Sequence, residues 1–312
     1  MEAKIIRSDR IKGAIYGLLV GDALGVPYEG QNSASLPPSA DLEFDPPTSF
    51  RRSHEGVPPG TWSDDGAQAL VLLHSLLECK RFDIQHFASG LVNWHDSGFM
   101  AVDGVVFDVG IQTYKSILEL KKGIKPDLAG GIDEWSNGNG SLMRCLPLAL
   151  WRRGSVKELI ELAFAQSAPT HSHLRSKLCC ALYCLWARAI LEDYHEPWNW
   201  AVETLTVNLL YEEQSKELEK KIHPLETPQT KRGSGYVVDS LHAAHWASSF
   251  PSYETAVKAV VELGEDTDTT ACVTGGIVGL IRGYNDIPAR WIENLRGKEL
   301  VEPLLSKLLN EG

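Results

Sequence analysis

The chain has 312 residues, with 43% hydrophobic and 23% charged side chains, an ordinary globular balance that can fill a sizeable core. Thirty basic against 41 acidic residues leave a net charge of −11, which opposes a nucleic-acid backbone or an anionic membrane as partner but not a small anion held in a local pocket. The six cysteines have no paired CxxC spacing, the N-terminal MEAKIIRSDRIKG lacks an apolar leader core, and no apolar run is long enough for a bilayer. A reduced, cytoplasmic setting is therefore expected.

Helical periodicity dominates from the first apolar segment, Ile11–Leu24, whose interleaved small residues suit a tightly packed central helix. A second helix is expected over Ala67–Glu78, behind the N-cap chemistry of Ser63-Asp64-Asp65. Further helices are expected over Gln85–Asp96, Val105–Lys121, Leu142–Arg152, Ser155–Ala165, Leu174–Asp193 and Trp198–Tyr211. Gly235–Ser249, Tyr253–Leu263 (capped by Ser252), Thr269–Gly283 and Ala289–Leu295 complete the set. Strand candidates are scarce, and no βαβ alternation or fixed-period repeat occurs. Two long excursions interrupt the pattern: the proline-rich Gln31–Pro59, of a length typical of lids and binding loops, and the charged Gln214–Gly233. Without a low-complexity linker, the chain reads as one all-α domain spanning 1–312.

Two helix starts carry more acid than capping requires. GTWSDDG places Ser63, Asp64 and Asp65 before one apolar helix, and GEDTDTT places Asp266, Asp268 and Thr269 before another. A cap needs one such side chain. Hydroxyl and carboxylate oxygens without histidine or cysteine suit a hard divalent cation, and four carboxylates from two clusters suit a pair of metals about 3.5–4 Å apart. Capping and ligation are evenly matched on spacing alone. An EF-hand is excluded, because no glycine and terminal glutamate follow at loop spacing. Elsewhere, Gly138-Asn139-Gly140 precedes an apolar helix, where glycines admit a ligand close to the backbone and helix-start N–H groups receive phosphate; alone it is also a common turn signal.

Six segments, GAIYGLLVGDALGVPYEG, GTWSDDGAQALVLLHSLLE, NGNGSLMRCLPLAL, APTHSH, GYVVDSLHAAHWA and GEDTDTTACVTGGIVGLIRGYNDIPARW, occur in the order of the ADP-ribosylglycohydrolase family, which the chain resembles from about Ile11 to Trp291. The family includes the dinitrogenase reductase-activating glycohydrolases. The resemblance implies an all-α fold, a compact single-domain orthogonal helix bundle, with a binuclear Mg²⁺ or Mn²⁺ centre of two ions per chain, and hydrolysis of the bond joining ADP-ribose to a modified target side chain, with an arginine linkage expected. It implies Ser63, Asp64, Asp65, Asp266, Asp268 and Thr269 as metal ligands. Where the family usually carries Thr-Asp-Asp-Thr this chain has Ser-Asp-Asp-Gly, so ligation through Ser63 is expected to survive while Gly66 is expected to loosen the packing behind it.

Glu29 matches a family loop glutamate near the scissile bond, and Asp65 is its rival for handling the proton. Gly138, Asn139, Gly140 and His171 are the implied contacts to ADP-ribose, and Met143 and Arg144 read as packing and supporting residues. Asp103 or Asp108 is expected toward the leaving group, with helix capping as the alternative, and Tyr236 against a ligand ring, with a core position as the alternative. The expected partner is an ADP-ribosylated protein or conjugate, met by a monomer. Three other roles remain open on sequence: an inactive module that binds ADP-ribose or a modified protein, a structural or interaction role, and an immunity protein against an ADP-ribosylating toxin.

Overall fold

The computed structural model describes residues 5–151, 154–223 and 232–311. Its axis is an antiparallel pair of long helices, α1 (Arg7–Gly25) and α13 (Thr267–Arg282). Glycines recur every fourth residue along one face of α1, at Gly13, Gly17, Gly21 and Gly25. A Cβ at Gly13, Gly17 or Gly21 would lie 2.1–2.3 Å from the carbonyl oxygens of Gly279, Gly275 and Ala271. Backbone therefore rests directly on backbone, and only glycine permits that approach. The interleaved small residues of the sequence are this contact.

The other elements wrap the pair in chain order. Helices α2 (Asp64–Cys79), α3 (Ile84–Ser97), α4 (Ile111–Lys121) and α5 (Pro126–Ala129) form one flank. The core then takes in α6 (Leu146–Trp151), α7 (Val156–Ser167) and α8 (Leu174–Leu191), the last buried along nearly its whole length. Helices α9 (Pro197–Asn208) and α10 (Glu212–Glu217) lead to α11 (Val237–Ala247) and α12 (Tyr253–Val261), which pack on α13. Helices α14 (Ala289–Asn294) and α15 (Lys298–Glu311) close the chain. Among the described residues there is no strand, only three isolated bridges, Asn32–Gly264, Gly131–His171 and Gly138–Tyr236. The all-α expectation holds.

The differences from expectation have local causes. Helix α4 begins at Ile111 rather than Val105, because Asp103 and Asp108 take the left-handed conformation (φ +53° and +55°). The helix expected from Leu142 starts at Leu146, with Pro147 in the first turn where a missing N–H is harmless; Arg152 lies outside the described residues. Pro303 argues locally against a helix at the C-terminus, yet α15 forms, because Val301, Leu304, Leu305 and Leu308 are buried in the core. The charged excursion opens with α10 and a π turn, Leu218–Ile222, and its residues 224–231 lie outside the described set. The proline-rich loop is packed down. It buries Leu42 and Phe44, the Tyr28 hydroxyl donates to the Glu43 carbonyl at 2.8 Å, and Glu43 pairs with Arg290 at 2.8 Å.

Candidate active site

The α1–α13 contact brings the two acidic helix starts together. At its far end Gly25 lies against the Asp268 backbone, where a Cβ would be 2.3 Å from the Asp268 Cα. Three residues earlier, fully buried Asp22 accepts from the Ser63 N–H at 2.8 Å and from the Gly66 N–H at 2.7 Å. Both its oxygens thus hold the first turn of α2 onto α1. Burial outweighs those two bonds and pushes the Asp22 carboxyl up to about 7.

Around this clasp one carboxylate oxygen each from Asp22, Asp65 and Asp268 lies within 4.8 Å of the others. Asp65 Oδ2 accepts from the Ser63 hydroxyl at 3.1 Å and the Thr269 hydroxyl at 3.3 Å. Asp65 Oδ1 and Asp268 Oδ2 are buried without any hydrogen-bond partner. Burial first, and neighbouring acids second, raise Asp64, Asp65 and Asp268 well above the usual carboxylate range. Asp266 is raised too, mainly by burial, although its Oδ2 accepts from Asn139 Nδ2 at 2.8 Å. Asp64 Oδ2 accepts from Gln68 Nε2 at 2.7 Å. Buried carboxylates with open lone pairs call for positive charge. The first turns of α2 and α13 supply part of it through their dipoles. The remainder fits a hard divalent cation, which takes oxygen ligands alone.

The residues next to this cluster, Asp64, Asp266 and Thr269, line a cleft of about 390 Å³ together with Glu29, Asp108, Gly138, Asn139, Gly140 and His171. Most of the residues singled out in sequence therefore converge here, with Ser63, Asp65 and Asp268 buried. Glu29 is half-buried and hydrogen-bonded to His54 Nε2, which raises the His54 pKa. His171 is buried, and Gly140 packs so close to its ring that a Cβ there would lie 2.7 Å from the imidazole Cε1. Burial, and then the Arg144 charge, drive the His171 pKa down to about 3.

Two residues are not brought to the cleft. Asp103 is exposed and pairs with Arg296 at 2.6 Å, so of the two acids flanking GVVF it is Asp108 that lines the site. Tyr236 caps α11 and bridges Gly138 through its backbone; its half-buried ring lies under the Arg175 guanidinium at 5.6 Å. The looser packing expected at Gly66 is corrected as well. Leu19 and Trp62 fill that space, so a Cβ at Gly66 would fall 2.7 and 2.9 Å from their side chains.

The profile of the ADP-ribosylglycohydrolase family matches residues 3–312. The chain belongs to that family. As an ADP-ribosylglycohydrolase it is an enzyme, a glycosidase acting on ADP-ribosyl bonds. It is similar to the ADP-ribosylarginine hydrolase Tri1 of Serratia proteamaculans, 30% identical across 96% of this chain and 79% of the relative. It is also similar to the ADP-ribosyl-[dinitrogen reductase] glycohydrolase of Rhodospirillum rubrum, at 26% identity over 92% and 90% of the two chains. Among solved structures an ADP-ribosylglycohydrolase-related protein complex superposes with a TM-score of 0.77, at 29% identity over 98% of each chain.

In this ADP-ribosylglycohydrolase three neighbours of the site escaped assignment from sequence. Asp22 sits inside an apolar helical run, and its signal was a lone acid where the periodicity demands a buried residue. His54 lies in the long loop, where no pattern marks it. Asp108 shares its sequence signal with Asp103, since both flank the same GVVF segment.

Proposed function

We propose that the enzyme removes ADP-ribose from arginine side chains, using two divalent cations, Mg²⁺ or Mn²⁺, held by Ser63, Asp64, Asp65, Asp266, Asp268 and Thr269. The observation that carries the metal is the pair of buried, partnerless carboxylate oxygens on Asp65 and Asp268. Bound divalent cations supply positive charge and Lewis acidity at the ribose, beyond what neutral side chains provide. Asp22 has spent both oxygens on backbone N–H groups and acts as the clasp that sets the ligand spacing. The arginine linkage is favoured by the likeness to Tri1.

The reaction adds water to the anomeric carbon of the ribose as the glycosidic C–N bond breaks, through an oxocarbenium-like state. The departing guanidine takes up a proton. Glu29 lines the cleft and is oriented by His54, so it is the residue placed to accept the proton of the attacking water. Asp65, its rival, is fully buried and already receives two hydroxyl hydrogen bonds. Gly138, Asn139, Gly140 and His171 offer backbone and side-chain contacts to the diphosphate and ribose. Asp108 at the cleft wall presents negative charge to a cationic leaving group. Among the described residues no helix is long and apolar enough to cross a membrane. A single-domain monomer working in the cytoplasm fits this reading.

The test is release of free ADP-ribose from ADP-ribosyl-arginine and ADP-ribosyl-serine peptides, with Mg²⁺, Mn²⁺ or EDTA present. The arginine conjugate should be cleaved, EDTA should stop the reaction, and Asp266→Ala should abolish it. Undiminished cleavage in EDTA, or full activity of the variant, would remove the metal-dependent reading. Preference for the serine conjugate would remove the arginine assignment.

A further inference from the structure

Behind the cleft wall lies a fully buried cation whose hydrogen bonds reach both halves of the site. Arg144 donates through Nε to Gln166 Oε1 at 3.1 Å and through Nη1 to Gln68 Oε1 at 2.7 Å. Its Nη2 donates to the Gln166 carbonyl at 2.9 Å and to the Thr170 hydroxyl oxygen at 2.8 Å. Gln68 passes the contact to Asp64, and the Thr170 hydroxyl lies 2.9 Å from His171 Nδ1.

The donor and acceptor count along this chain has one solution. Arginine only donates, so Thr170 Oγ1 must accept from Nη2. The hydroxyl then has one hydrogen to place, and among the described residues its only recorded acceptor is His171 Nδ1. The opposite arrangement, with Nδ1 carrying the hydrogen, would leave the Thr170 hydroxyl without an acceptor at a fully buried residue. Nδ1 is therefore bare. Burial and the Arg144 charge keep the ring neutral, with its pKa lowered to about 3, so its single hydrogen stands on Nε2. That nitrogen has no recorded hydrogen-bond partner among the described residues, and it borders Gly138 and Gly140 at the cleft.

We propose that Arg144 and Thr170 are positioning residues that fix His171 as the Nε2–H tautomer, so that it meets the substrate as a neutral hydrogen-bond donor to an oxygen of the ADP-ribosyl diphosphate. The ligand half of this statement rests on reading the cleft as an ADP-ribose site; the tautomer half does not. A neutral donor of fixed direction binds the anionic substrate without titrating across ordinary pH. The same guanidinium, through Gln68, holds Asp64 beside the acidic cluster, so one buried charge sets the register of both halves.

The experiment uses the full chain labelled with ¹⁵N-histidine. Two-bond ¹⁵N–¹H correlation reads the His171 tautomer, and titration with ADP-ribose reads affinity, for wild type, Thr170→Val and Thr170→Ser. The wild type should show His171 protonated at Nε2 only. Thr170→Val should give a tautomer mixture and weaken ADP-ribose by about tenfold, the scale of one hydrogen bond, and Thr170→Ser should restore both readings. An Nδ1–H wild type overturns the proposal without needing any variant, and so does Thr170→Val with an unmixed tautomer and wild-type affinity. An Nε2–H wild type that ignores ADP-ribose keeps the tautomer and removes the reading of the cleft.

Discussion

The helix pair α1–α13 ends in two hollows of opposite character. At the C-terminal end of α1 lies the acidic cleft of about 390 Å³. At its N-terminal end lies a larger one of about 660 Å³, walled by Trp186, Trp198, His223 and His245 beside the Arg10–Asp193 ion pair. In the larger hollow the aromatic rings pack on one another and the flanking charges pair. His245 stacks on Trp198 with ring centroids 4.0 Å apart, and Trp186 meets both edge-on. Beside the smaller one, next to its lining residues Asp64 and Thr269, the buried carboxylate oxygens of Asp65 and Asp268 are left unpaired and crowded together. The size of a hollow is thus a poor guide to chemistry. The unsatisfied charge of the smaller one is the better guide, because it is free energy that a bound cation can recover.

The sharpest way to break this contrast is to truncate one side chain at each end. Asp268→Ala should lower kcat by roughly 10²–10³-fold or more and abolish the rise in melting temperature on adding Mg²⁺ or Mn²⁺. Trp198→Ala should cost about 3–5 kcal/mol of stability while leaving kcat/KM near wild type well below the melting point. Equal loss of activity from the two would show that the aromatic end belongs to the catalytic site. A smaller effect tests the axis that separates them. Gly21→Ala pushes a Cβ to within 2.1 Å of the Ala271 carbonyl oxygen, so chemical denaturation should register a loss of about 1–3 kcal/mol, together with weaker metal binding as the Asp22–Asp268 spacing opens.

The smallest effect is in pH, and the two ends should pull in opposite directions. His245 is held down to about 4, chiefly by burial. The unfolded chain therefore binds more protons between about 6.5 and 4, and stability falls as pH drops through that window. Asp22 is held up to about 7. The native state keeps a proton that the unfolded chain releases above about 3.8, so in the metal-free protein stability falls as pH rises from there toward 7. Over this shared window the two slopes oppose each other, so melting temperatures recorded in EDTA should change only shallowly with pH. His245→Phe should steepen the fall with rising pH, and added Mg²⁺ should steepen the fall with acid. An unchanged slope in both cases would contradict the assignment.

Much of the site was legible because its signals are local. Ser63-Asp64-Asp65 and Asp266-x-Asp268-Thr269 each put more oxygen at a helix start than a cap requires, and both reach one cluster. Asp103 and Asp108 were indistinguishable, since both sit in left-handed turns flanking the same apolar tetrad. Only the turn of the chain before α4 sends one to the cleft and the other to Arg296. Gly66 shows a related limit, because Leu19, which packs beside Trp62 in that space, comes from a distant part of the chain.

The sequence by itself determined most of the helices, the Ser63 and Ser252 caps, the glycine stripe of α1 and the kind of oxygen at each acidic turn, all of which depend on residues within a few positions of one another. Tertiary structure alone decided which of those oxygens lack a partner, that Asp22 clasps α2 while Asp65 and Asp268 stay open, and that Arg144 reaches His171 through Thr170. Those outcomes are distances between atoms many residues apart in the chain, and the packing of one helix backbone on another is what sets them.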